Sequence, residues 1–180
     1  MVRDVLEIPI VGTVPAIKPA AEQTRTGTIG LLGTAATIRQ PYVDRLEAEF
    51  ARGKRLLRAA APELVSAAEA SLRGEPVDPA VYTRAAAALR DQPGGADIDT
   101  VVLACTHFPL VERELAEAFG QSVQFVHGAG GIARRIARLT EHHVMARSVP
   151  DLALFTRAEP GLAALVPTLA DYGLTRMEVL

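Results

Sequence analysis

Thr100-Val-Val-Leu-Ala104, followed at once by Cys105-Thr106-His107-Phe108-Pro109, reads as a central strand ending in a polar turn before a helix. The strand is apolar and β-branched, the composition of a strand covered on both faces. Pro109 suits the first turn of a helix, which the pattern predicts over Pro109 to Phe119.

Working outward, the same alternation repeats. Ile29-Gly-Leu-Leu-Gly33 reads as a buried strand ending in a tight turn, and Tyr42 to Ala51 as a helix with Tyr42, Leu46 and Phe50 on one face. Lys54 to Ala59 follows as a strand. Pro62 opens a helix over Glu63 to Leu72 that stops at Gly74, and Pro79 opens another that ends before Gln92-Pro-Gly-Gly95. Val123 to Val126 is a strand, and Gly128 to Gly131 leads into a helix through Leu139. Leu152 to Phe155 and Gly161 to Ala170 form a last strand and helix. Strand–helix alternation of this kind implies an α/β fold, a parallel sheet with helices on both faces.

In such sheets ligands sit beyond the carboxyl ends of the strands. Three turns meet that condition: Gly33-Thr-Ala-Ala-Thr37, Cys105-Thr-His107 and His127-Gly-Ala-Gly-Gly131. Cys105, Thr106 and His107 form the strongest constellation. A cysteine near a helix start has its thiolate favoured, and a histidine two residues on can pass a proton. The competing reading is a buried structural cysteine with an incidental histidine. Thr34 and Thr37 suit either helix capping or anion binding. The Gly128–Gly131 run lacks dinucleotide-fingerprint spacing and reads as a tight turn. His142-His143 make a poor metal pair and read as surface or helix-end residues, and Glu69 by pattern alone belongs to a solvated face.

Composition removes several classes. The 180 residues are 49% hydrophobic with a net charge of −2, so nothing marks a nucleic-acid surface. No apolar run approaches a membrane span, and the N-terminus has no signal core, so a soluble cytoplasmic protein is expected. A single cysteine forms neither an internal disulfide nor a thiolate metal cluster.

In order, these segments resemble the glutamate racemase family of the aspartate/glutamate racemase superfamily. The similarity runs through Ile8-Pro-Ile-Val-Gly12, Pro15-Ala-Ile-Lys-Pro-Ala20, Ile29–Thr37 and Ala61-Pro-Glu-Leu-Val-Ser-Ala-Ala-Glu69. Ala61 stands where that family has cysteine. Leu103-Ala-Cys-Thr-His-Phe-Pro-Leu110 is the most specific segment, with Ala104 for the family glycine. Val126-His-Gly-Ala-Gly-Gly-Ile-Ala-Arg134 is similar to a Val-Asp-Ser-Gly segment, with His127 and Gly128 replacing aspartate and serine.

The resemblance implies cofactor-independent interconversion of L- and D-glutamate for peptidoglycan, by two cysteines on opposite faces of the α-carbon. Cys105 resembles the second of them, His107 its assistant and Glu69 the acidic helper. Thr34, Thr37 and Thr106 resemble substrate contacts. It also implies a remnant of a first lobe at 1–28, a second lobe at 29–147, and a strand–helix unit at 148–180 returning to the first lobe. Neither Asp-Ser-Gly nor Cys-Asn-Thr occurs in the 180 residues. The expectation is an N-terminally truncated chain that is inactive alone and self-associates. An aspartate or hydantoin racemase relative, or a non-catalytic amino-acid-binding module, is the alternative.

Overall fold

The computed structural model describes residues 8–120, 122–144, 146 and 149–180. Its central sheet holds β1 (Thr28–Gly33), β2 (Arg55–Ala60), β3 (Thr100–Leu103) and β4 (Gln124–Val126), all parallel, in the order β2-β1-β3-β4. Each expected strand is present to within one residue at either end. The helices are α1 (Ile17–Gln23), α2 (Ala35–Ile38), α3 (Pro41–Phe50), α4 (Glu63–Leu72), α5 (Ala80–Arg90), α6 (Glu112–Phe119), α7 (Ala129–Leu139) and α8 (Leu162–Asp171).

Alternation along the strands divides the core into two layers. Ile29, Leu31, Val102 and Val126 pack with Ile17 and Ala20 of α1 and Val43 of α3. Leu32, Val101 and Leu103 pack with Leu64, Ala85, Leu89 and Leu115 from α4, α5 and α6. Gly30 lies where α5 comes closest: a Cβ there would stand 2.8 Å from Leu89 Cδ1. The sheet therefore carries helices on both faces, as the alternation of elements implies.

Three features differ from the sequence reading. Helix α1 adds to the expected elements; Pro19 falls in its first turn, where its missing N–H has no partner to lose. The helix expected from Pro109 is split. Phe108–Val111 form a 3-10 turn and the α-helix begins at Glu112. Phe108 and Val111 are both fully buried, and i,i+3 spacing in a 3-10 turn points both at the core. Third, an unanticipated strand, β6 (Arg176–Val179), pairs in parallel with β5 (Leu152–Phe155), with α8 as the connection.

Among the described residues, this two-stranded unit meets the sheet layer at Thr168, whose Oγ1 donates to the Leu72 carbonyl at 2.8 Å. Leu152, Leu154, Met177 and Val179 stay 37–52% exposed on its strands. The expected boundary between residues 147 and 148 lies outside the described residues, as do residues 1–7 of the expected first segment.

Asp99 ties the entry of β1 to that of β3. Its carboxylate accepts from Thr24 Oγ1 at 2.6 Å, from the backbone N–H groups of Arg25 and Thr26 at 2.7 and 3.0 Å, and from Thr100 Oγ1 at 3.0 Å. Burial alone would raise its pKa; the hydrogen bonds outweigh burial and hold it at about 2. A lowered folded-state pKa adds stability above the unfolded value, lost as pH falls toward 2. Asp99→Ala should therefore cost about 1–3 kcal/mol at neutral pH. In urea denaturation the gap between variant and parent should narrow as pH falls from about 4 to about 2; a gap independent of pH would contradict this assignment.

Candidate active site

Parallel pairing brings the ends of β1 and β3 side by side. The Ala104 N–H donates to the Leu32 carbonyl at 2.8 Å, and the Ala61 N–H to the Gly33 carbonyl at 3.0 Å. A Cβ on Gly33 would stand 3.6 Å from Ala104 Cβ, so the Thr34 turn lies against the Cys105 turn.

Beyond β3 the chain carries Cys105, a partly exposed free thiol. His107 Nδ1 lies 3.9 Å from Cys105 Sγ, and His107 Nε2 lies 2.9 Å from Glu69 Oε1. Glu69 comes from α4, which packs on the 3-10 turn: Leu64 and Ala68 share a core with Phe108 and Val111. The ring orientation assigns the proton by partner. A carboxylate only accepts, so the neutral ring donates its Nε2–H to Glu69 and turns the Nδ1 lone pair to the thiol. Thiol, imidazole and carboxylate in a row are the arrangement of a base-assisted nucleophile or acid–base thiol. Here His107 lies between a thiol and a carboxylate.

The helix-start argument for Cys105 does not hold. The α-helix begins at Glu112, seven residues on, and Glu112 and Glu114 occupy its first turn. The nearest side-chain partner of the thiol is instead His107, with Nδ1 at 3.9 Å.

Thr34 is the N-cap of α2: its hydroxyl accepts from the Thr37 N–H at 3.3 Å and lies 3.0 Å from Thr37 Oγ1. The capping role is thus occupied, and both hydroxyls remain partly exposed beside the Cys105 turn. Thr106 is exposed next to Cys105. His127, at the end of β4, accepts from the Ala129 N–H at 3.3 Å and lies 3.7 Å from Glu112 Oε2. It lines a different cleft of about 700 Å³, with Thr13, Lys18 and Arg134. His142 is 90% exposed beside Glu141, as a surface residue.

Arg73 is absent from the sequence reading. It binds the second Glu69 oxygen, Nη1 to Oε2 at 3.1 Å, and Glu75 Oε1 through Nε at 2.8 Å. The only sequence signal for it is the i,i+4 spacing from Glu69, common on exposed helices. If His107 assists Cys105, His107→Ala should slow alkylation of Cys105 by iodoacetamide at neutral pH about tenfold. The parent thiol should react faster than glutathione. Slow alkylation that needs denaturant would identify a structural cysteine instead.

The sequence profile of the Asp/Glu/hydantoin racemase family matches residues 1–136. Glutamate racemase of Sphingopyxis alaskensis is 58% identical over 178 residues, which cover 98% of this chain and 66% of the relative. Glutamate racemase of Photorhabdus laumondii is 37% identical over 183 residues, 99% of this chain and 62% of the relative. The chain spans less than two thirds of the length of these curated relatives. The crystal structure of Escherichia coli glutamate racemase with L-glutamate and the activator UDP-MurNAc-Ala superposes with a TM-score of 0.89 at 37% identity. That superposition covers 99% of this chain and 67% of the other.

Proposed function

The chain belongs to the Asp/Glu/hydantoin racemase family, and on that premise we propose that its 180 residues supply one half of a two-base glutamate racemase site. Cys105 is the acid–base thiol, assisted by His107 and Glu69. The single observation that carries this reading is the Cys105–His107–Glu69 row at the carboxyl edge of the sheet.

Inverting a stereocentre by proton transfer requires a base on one face of the α-carbon and an acid on the other. In one direction the Cys105 thiolate takes the α-proton, leaving a planar carbanion. A second group must protonate the opposite face; in reverse Cys105 is the donor. The sequence holds one cysteine, so the 180 residues provide one thiol of the pair. His127 does not replace it in this reading, because it lines another cleft, with Thr13, Lys18 and Arg134.

Thr34, Thr37 and Thr106 are proposed to hold the substrate's charged groups, as hydroxyls at the same edge as Cys105. Glutamate is favoured over aspartate or a hydantoin by the relatives named as glutamate racemases at 58% and 37% identity. Under this reading the chain serves peptidoglycan precursor supply in the cytoplasm. The exposed apolar residues of the β5–α8–β6 unit support self-association through that unit.

The 180-residue chain alone should give no detectable deuterium incorporation at the α-carbon of L-glutamate in heavy water. Mixing it with a separately produced segment carrying the Cys-Asn-Thr turn of a relative should restore exchange. Cys105→Ser should then lower that rate by about 10²-fold or more. Restored exchange that survives Cys105→Ser would refute the assignment of the thiol. Exchange by the chain alone would show that a second base lies within these residues.

A further inference from the structure

Both oxygens of the Glu69 carboxylate are committed. Oε1 faces His107 Nε2 at 2.9 Å, and Oε2 takes Arg73 Nη1 at 3.1 Å. The two contacts use different oxygens of one carboxylate, so the position of Arg73 bears on the direction in which Oε1 points.

Arg73 is itself anchored, and local sequence explains how. Helix α4 ends at Leu72, and Gly74 turns the chain with a φ of 68°, a left-handed conformation that glycine adopts without a Cβ penalty. The turn sends the Glu75 N–H back to the Ala70 carbonyl at 2.9 Å. Glu75 is thereby returned alongside Arg73 and accepts from its Nε at 2.8 Å. The guanidinium is held at two edges, by Glu69 and by Glu75. Its aliphatic stem is backed by Gly161, where a Cβ would stand 3.4 Å from Arg73 Cδ. Arg157 and Glu159, from the β5–α8 connection, line the same cleft as Glu69 and Arg73. These two pair with each other.

An i,i+4 ion pair on a half-exposed helix contributes little to stability on average. Its value here is directional. A carboxylate facing only a histidine can rotate about its terminal torsion, which is broad. A carboxylate whose other oxygen is held by a guanidinium cannot do so without losing that bond. We propose that Arg73 is a positioning residue for Cys105: it holds Glu69 in the rotamer that turns His107 Nδ1 toward the thiol. The proposal rests on the reading of Cys105 and His107 as an acid–base pair. It deepens that reading by tracing the orientation of the pair to the end of α4.

The test is the rate–pH curve for iodoacetamide alkylation of Cys105, in the parent chain and in Arg73→Gln, Arg73→Lys, Glu69→Gln and the Arg73→Gln/Glu69→Gln double variant. Far-UV circular dichroism and thermal unfolding first establish that each variant is folded. Arg73→Lys retains a cation and serves as the readout if the glutamine variant does not fold. Losing the carboxylate, or its hold, frees the His107 ring to turn its lone pair away from the thiol, so the thiol loses its proton acceptor. Arg73→Gln and Glu69→Gln should both move the curve to higher pH by about half a unit or more, about threefold slower alkylation below the midpoint. Arg73→Lys should recover part of the rate, because it restores charge without the two-edged hold. The double variant should match Glu69→Gln alone, because Arg73 acts through Glu69.

If Glu69→Gln shifts the curve and Arg73→Gln does not, the role of Arg73 is overturned while the reading of the site stands. Additive effects in the double variant overturn it as well. If neither single variant moves the curve, the Cys105–His107–Glu69 relay itself fails, and this proposal with it.

Discussion

Strand β1 is buried along all six residues and paired in parallel on both edges. The position of the site depends on that pairing. With Leu32 opposite Leu103, the chain leaves the sheet at Gly33 and at Ala104 side by side. Because the strands are parallel, both exits open at the same edge. Sliding β3 by one residue would send Val101 and Leu103 to the opposite face and break both core layers. The hydrophobic pattern of two four- to six-residue strands thus fixes the place of Cys105 before any polar contact forms.

The polar row is then assembled from elements far apart in sequence. Glu69 reaches His107 because α4 and the 3-10 turn share a core, with Leu64 and Ala68 against Phe108 and Val111. A substitution that loosens this packing would move the carboxylate from the imidazole without touching either. Apolar residues therefore set the frame of the site, and charged residues such as Arg73 orient groups within that frame. Asp99 does comparable work at the opposite end of the sheet, where its hydrogen bonds close the loops that enter β1 and β3.

The four strands of the sheet were legible because each is a short apolar run bounded by glycine, proline or a polar turn. Helix α4 was legible to the residue, between Pro62 and Gly74. The helix expected over Pro109 to Phe119 is α-helical from Glu112, and its first residues form a 3-10 turn that buries both Phe108 and Val111. Strand β6, Arg-Met-Glu-Val, has too weak a pattern to register, and its residues are all exposed. At the site, Cys105 and His107 stood out by their place after a buried strand. Glu69 came from resemblance, because one glutamate on a half-exposed helix carries no signal of its own. Arg73 had none beyond a common spacing. Contacts across 38 positions, as between Glu69 and His107, require the fold to be seen.

In the proposed site Glu69 sets the tautomer of His107, so that a lone pair, and not a proton, faces Cys105. Nitrogen-15 NMR of the histidine side chains, with His107 assigned by its loss in His107→Gln, reads this directly. In the neutral ring the account predicts the proton on Nε2 and an unprotonated Nδ1, with the tautomer population relaxing toward a mixture in Glu69→Gln. A dominant Nδ1–H tautomer in the parent chain would point a donor at the thiol and leave Glu69 facing a lone pair, and it would contradict the account.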